Sequence, residues 1–178
     1  TLKSLKPISG LTQLRQLFLK YDGLTDISDI SGLTNLTELW LDNNQIVDVN
    51  AIKDMKQLSQ LSLCGNQVED INPLMGLENA RTIDLSRNNI KTLPEDMSGL
   101  KDLMSLDLSS NSELADISSL SKISRLQRIS LLSCNNVKDI KPLVELTALN
   151  KDETFLPSGF DKDKDDLFAA IDVNKTIK

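Results

Sequence analysis

Hydrophobic positions along this chain recur in a fixed phrase, not with the period of a long helix or a simple alternation. The template LxxLxLxxN begins at Leu14, Leu36, Leu58, Ala80, Leu103 and Leu126, spaced by 22 residues three times and then by 23 twice. An internal period of this length marks a solenoid, because each copy buries its apolar edge only by stacking on its neighbours. The clearest copies read LTELWLDNNQIVDV from Leu36, LSQLSLCGNQVEDI from Leu58 and LMSLDLSSNSELADI from Leu103. A seventh start at Leu149 does not continue the phrase.

Within each copy the short xLxL segment alternates with period two and predicts a strand, while the remainder is too short for a full helix and suits 3₁₀ turns. Positions 1, 4 and 6 of a copy point inward. Apolar residues further on return the chain to the core, as Ile46, Val49, Ile52 and Met55 do in the second copy and Val68, Ile71, Leu74 and Leu77 in the third. The expected fold is an α/β leucine-rich-repeat solenoid, with a parallel sheet on the concave face and 3₁₀ or helical turns on the convex one. Residues 1–149 form the solenoid, about six full repeats plus a partial one, and residues 150–178 a C-terminal cap or tail. Leu2, Leu5, Ile8 and Leu11 match the returning half of a repeat whose strand is missing, so the native chain is expected to continue upstream of Thr1.

Two polar columns belong to folding. Asn44, Asn66, Asn88 and Asn111 fill position 9, where an amide satisfies backbone groups that a turn leaves unpaired. Asp22 and Cys134 take that place at the two ends, where the ladder should weaken. Asp26, Asp48, Asp70, Asp116 and Asp139 precede Ile or Val ahead of each expected turn, where a carboxylate caps free N–H groups.

Composition narrows the function. A formal charge of −6 and a pI near 4.7 oppose binding to nucleic acid or anionic lipid, whose affinity comes from clustered Lys and Arg. No apolar run approaches a membrane span, and no leader peptide is visible in TLKSLKPISG. Histidine is absent, which removes the commonest general base and metal ligand. No phosphate-cradling GxxxxGK, dinucleotide GxGxxG or Ser, His and Asp set is present. No catalytic residue, cofactor or metal is therefore expected, and the chain reads as a binding module. Cys64 and Cys134 lie three copies apart, about 14 Å across the sheet, too far for a disulfide. Free thiols suit a reducing cytoplasm or a bacterial surface.

On the inner face, positions 2, 3, 5, 7 and 8 are expected to meet solvent. Phe18 and Trp40 share position 5 in adjacent copies and Tyr21 occupies position 8 beside them, with Arg15, Lys20, Glu38 and Asp42 around. Parallel strands about 4.8 Å apart would stack the first two rings. Aromatic anchors inside a charged rim have the composition of a protein-binding hot spot. The alternative is that the rings cover the first strands after an N-terminal cap, or touch repeats upstream. Further along position 5 come Ser62, Asp84, Asp107 and Ser130, with Arg81, Arg87 and Arg128 nearby, a solvated face or a secondary contact zone. In the tail, Asp161, Asp163, Asp165 and Asp172 approach a calcium-loop spacing, but Asp166 stands where that loop needs Gly. An acidic helix start ahead of DLFAAI is the favoured expectation there.

The phrases ISGLTNLTELWLDNNQIVDV and NQVEDINPLMGL resemble the 22-residue repeats of bacterial internalin-like proteins, and Pro73 and Pro142 stand where that pattern places proline. The resemblance covers roughly residues 2 to 149. It implies display on a Gram-positive cell surface, or secretion, and capture of a host or matrix protein by the concave face. The module itself is expected to be a monomer. A cytoplasmic scaffold or regulator is the alternative. The fourth copy departs from the pattern, with LPEDMSGL in place of DIxPL, and residues 150–178 leave no room for the immunoglobulin-like extension usual in that family.

Overall fold

In an xLxL segment, positions 4 and 6 turn to one face and position 5 to the other, so a copy that buries two leucines must expose the residue between them. The computed structural model, which describes residues 4–177, places these segments as strands. Thr1 and Leu2 lie outside the described residues. The strands are β1 (Gln16–Phe18), β2 (Glu38–Trp40), β3 (Gln60–Ser62), β4 (Thr82–Asp84), β5 (Ser105–Asp107), β6 (Arg128–Ser130) and β7 (Thr154–Phe155). They form one parallel sheet in sequence order. Every pair is in register, Leu17 on Leu39, Leu39 on Leu61, Leu61 on Ile83, Ile83 on Leu106 and Leu106 on Ile129. Position 4 thus becomes a continuous buried column, flanked by the returning residues Ile46, Val49, Ile52 and Met55 and their counterparts. This is the leucine-rich-repeat solenoid expected from the period, with the sheet on the concave face.

The strands are short because position 8 turns the chain. Tyr21, Asn43, Gly65, Arg87, Ser110 and Ser133 all have φ between 56° and 68°. Only Gly65 is free of the steric cost of that left-handed conformation.

After the turn comes the asparagine ladder. Asn44 Nδ2 donates to the carbonyls of Leu19 and Leu41 at 2.7 and 2.8 Å, and its Oδ1 accepts from the backbone N–H of Asp22 and Leu24. Asn66, Asn88 and Asn111 repeat the scheme, each donating to position 6 of its own and the preceding copy and accepting from Ile46, Val68 or Ile90 of the preceding copy. Each amide ties two copies together. Cys134 supplies only a thiol donation to Leu108 O at 3.1 Å. The Leu114 N–H instead closes on Asn111 O in a local turn, which accommodates one extra residue of the longer copies.

The aspartate column caps the convex turns. Carboxylates of Asp26, Asp48, Asp70, Asp116 and Asp139 accept from the backbone N–H two residues on, at 2.7 to 2.8 Å. Those N–H groups open the 3₁₀ segments Ser28–Ile30, Asn50–Ile52, Asn72–Gly76, Ser118–Lys122 and Lys141–Glu145. In the two segments that carry it, Pro73 and Pro142 sit in the first turn, where a missing N–H costs nothing. The fourth copy has no such segment, yet Asp96 still caps Ser98 N–H at 2.9 Å.

β7 is a strand that the repeat phrase does not anticipate. Thr154 and Phe155 pair with Ile129 and Ser130, extending the sheet past residue 149. The chain then turns into α1 (Lys164–Ile177), which packs on Lys141–Glu145 and buries Leu167, Phe168 and Ile171. Asp165 and Asp166 stand in its first turn, the acidic helix start expected of the tail. No helix among the described residues is long and apolar enough to cross a membrane.

Candidate protein-binding face

Register places position 5 of β1 against position 5 of β2, and the two rings there meet. Phe18 and Trp40 stack with centroids 6.1 Å apart and planes 20° from parallel. From position 7 of the first copy, Lys20 reaches back so that its Nζ lies 4.2 Å from the centre of the Trp40 ring, a cation–π contact. The same ammonium is 3.4 Å from an Asp42 carboxylate oxygen. The other Asp42 oxygen accepts from the Ser62 hydroxyl at 2.7 Å. Phe18, Trp40, Lys20, Asp42 and Ser62 therefore form one connected cluster across three strands.

The cluster corrects one expectation. Positions 5 and 7 do not all face solvent: Ser62, beside Trp40 in register, is only 3% exposed, Ser86 is buried, and the Asp42 side chain is 13% exposed. The Ser62 and Ser86 hydroxyls donate to the carboxylates of Asp42 and Asp84, at 2.7 and 2.6 Å, so exposure depends on the neighbour as well as the position. Phe18 remains 54% exposed, as an anchor at the end of the stack requires.

The other expected residues are more scattered. Tyr21 is 77% exposed and takes no part in the stack; its backbone N–H donates to Asp42 O at 3.0 Å. Glu38 accepts from Gln16 Nε2 at 2.9 Å along the position 3 row. Arg15 is exposed, and its carbonyl accepts from the backbone N–H of Thr37 and Glu38 at the start of the β1–β2 ladder. Trp40 Nε1–H is buried and has no hydrogen-bond partner among the described residues.

Cys64 and Cys134 are both free, one half-buried and one buried. Burial pushes the Cys64 thiol up, and the carboxylates of Asp84 and Asp42 add to this against the opposing Ser86 hydrogen bond and Arg87 charge. A thiol so placed stays protonated at neutral pH, the opposite of an activated nucleophile.

Sequence reasoning missed a second apolar patch at the far end of the face. Leu132 and Phe155 are each 47% exposed and line one shallow cavity of about 320 Å³ with Asp107, Ser109 and Arg128. An apolar residue at position 7 in RISLLSC was the available signal for Leu132; Phe155 had none without β7. Among the described residues no three His, Cys, Asp or Glu side chains are placed to hold a metal ion.

Comparison with known proteins agrees with the geometry. Family models described as "Leucine Rich repeats (2 copies)" and "Leucine rich repeat" match residues 12–54 and 56–112, together more than half of the chain. No curated protein matches the sequence. Among solved structures, the internalin inlC2 from Listeria monocytogenes is 30% identical with a TM-score of 0.76, over 87% of this chain and 65% of that one. The internalin inlF from the same organism is 26% identical with a TM-score of 0.69, over 84% and 49%. A leucine-rich-repeat protein from Leptospira interrogans is 27% identical with a TM-score of 0.74, over 93% and 44%. The chain thus spans less than two thirds of the length of each.

Proposed function

The chain belongs to the bacterial internalin-like leucine-rich-repeat proteins, a class of protein-interaction module, and on that premise we propose that it captures a protein partner on its concave face, through Phe18 and Trp40. Tyr21 adds apolar area at the rim, and Arg15, Lys20, Glu38 and Asp42 set specificity. The partner is a host or matrix protein met at the bacterial surface or after secretion. The observation that carries this reading is the stack of the exposed Phe18 ring on the half-buried Trp40 ring, which Lys20 contacts and Asp42 and Ser62 steady through Lys20. A ring already fixed by its neighbours loses little freedom on binding, which is what makes a good anchor.

The test is capture of a partner from an extract of host-cell and matrix proteins by the immobilised chain and by its Trp40→Ala and Phe18→Ala variants. Each substitution should weaken capture by about 2 kcal/mol, the size of a hot-spot loss. Phe18→Ala should do so with little change in melting temperature, since the ring is mostly exposed. Unchanged capture by both variants would end this proposal.

A further inference from the structure

The position 5 side chains run Phe18, Trp40, Ser62, Asp84, Asp107, Ser130 and Phe155 in strand order. Rings stand at both ends, serines inside them, and two carboxylates in the middle. At about 4.8 Å per strand, Trp40 and Phe155 are about 24 Å apart along the sheet, with Asp84 and Asp107 roughly midway.

The middle differs from the ends in how its charge is balanced. Near the rings, Asp42 is paired with Lys20, and Glu153 with Arg128 at 3.0 Å. Asp84 and Asp107 are direct neighbours across β4 and β5. Asp84 Oδ1 accepts from the Ser86 N–H and hydroxyl at 2.9 and 2.6 Å, and Asp107 Oδ1 accepts from the Ser109 N–H at 2.8 Å. Among the described residues neither carboxylate has an ion-pair partner. Burial chiefly, then repulsion from Asp107 and Asp42, pushes the Asp84 carboxyl up despite the Ser86 hydrogen bonds. Two neighbouring carboxylates outside any ion pair among the described residues thus stand between two apolar patches.

We propose that the concave face takes an extended segment of the protein partner crossing the strands, with an apolar side chain on each of Phe18–Trp40 and Leu132–Phe155 and a lysine or arginine over Asp84 and Asp107. The inference rests on the concave face being the docking face. An extended backbone advances about 3.3 Å per residue and alternates its side chains between two faces, so anchors on one face stand about eight residues apart, with the cation near the centre on that same face. A cation there forms charge-assisted hydrogen bonds to both carboxylates. A neutral segment would leave them desolvated and unpaired, and an acidic one would be repelled, so the pair selects as well as binds.

Trp40 is the only tryptophan, so its fluorescence reports on the face directly. The probes are three synthetic peptides of about nine residues, each with phenylalanines spaced to reach both patches, a serine and glycine background, and a central pair of arginines, serines or glutamates. The arginine peptide should bind about tenfold more tightly than the serine peptide, with the glutamate peptide weakest. Asp84→Asn combined with Asp107→Asn keeps an oxygen for Ser86 and Ser109 and should bring the arginine peptide down to the serine peptide's affinity. Phe18→Ala and Phe155→Ala should weaken all three. Equal affinity for the arginine and serine peptides, a preference that survives the double substitution, or no binding at millimolar concentration would overturn the inference. Failure of the docking-face reading is distinguishable: affinities indifferent to Phe18→Ala and Phe155→Ala would place binding elsewhere. Sensitivity to those substitutions without a charge preference would remove the cation alone.

Discussion

At Tyr21 the backbone and the side chain make opposing demands. Position 8 requires a left-handed conformation, φ 61° here, and a large aromatic residue adopts it at a cost that glycine or asparagine largely escapes. The next copy places Asn43 at the same point with φ 56°. Tyr21→Asn should therefore raise stability by about 0.5–1 kcal/mol, seen as a higher melting temperature, while weakening partner capture. Lower stability would mean that the ring serves the fold. Asp84 is a second such residue, because its carboxyl is held above its ordinary value by burial and by neighbouring carboxylates. A carboxyl raised in the folded state favours folding while protonated and loses that advantage as pH rises through its folded value. Asp84→Asn should thus raise the melting temperature at neutral pH, with the gain shrinking as pH falls through the raised folded value and gone well below about pH 4, where aspartate is protonated in either state. A thermal melt at both pH values checks the sign.

Between residues and fold stand the two columns that join copies. Asn66 is buried, donates to Leu41 and Leu63 carbonyls and accepts from Ile46 N–H. Asn66→Ala strands these groups away from water and should cost about 2–4 kcal/mol in chemical denaturation. The aspartate column instead gives an acid dependence. Asp26, Asp96 and Asp116 lie below the usual carboxylate range, chiefly through the backbone N–H groups of Ser28, Ser98 and Ser118 and secondarily through their hydroxyls. Carboxylates lowered by folding contribute in full above their unfolded value, near pH 4, and lose the contribution as pH falls through the lowered one. Melting temperature should fall as pH drops from about 5 to about 2, and Asp26→Asn, Asp96→Asn and Asp116→Asn together should flatten that slope. A Cβ at Gly99 would overlap Met75 O, a backbone atom with no rotamer to escape by. Gly99→Ala should destabilise by about 1–3 kcal/mol, the usual cost of overpacking.

For the whole molecule, the solenoid was legible because Leu at positions 1, 4 and 6 and Asn at position 9 state the period outright, and the Phe18–Trp40 stack follows from that period and the strand spacing. The left-handed turn at position 8 was not legible, since Tyr, Asn, Gly, Arg and Ser share no side-chain property there. β7 escaped notice because Thr154 stands where the other copies place an apolar residue. The burial of Ser62 goes with its neighbours Trp40 and Asp42 and not with its own place in the period. What a solenoid does with its exposed positions is set by such neighbour relations, because the backbone rules leave those positions free to vary. The most direct test of concave-face capture is photocrosslinking. A photoreactive phenylalanine analogue replaces Trp40 in one protein and the exposed convex residue Lys53 in another, and each is irradiated with the captured partner. Crosslinks from position 40 and none from position 53 are the expected result. Crosslinks from position 53 alone would contradict the account.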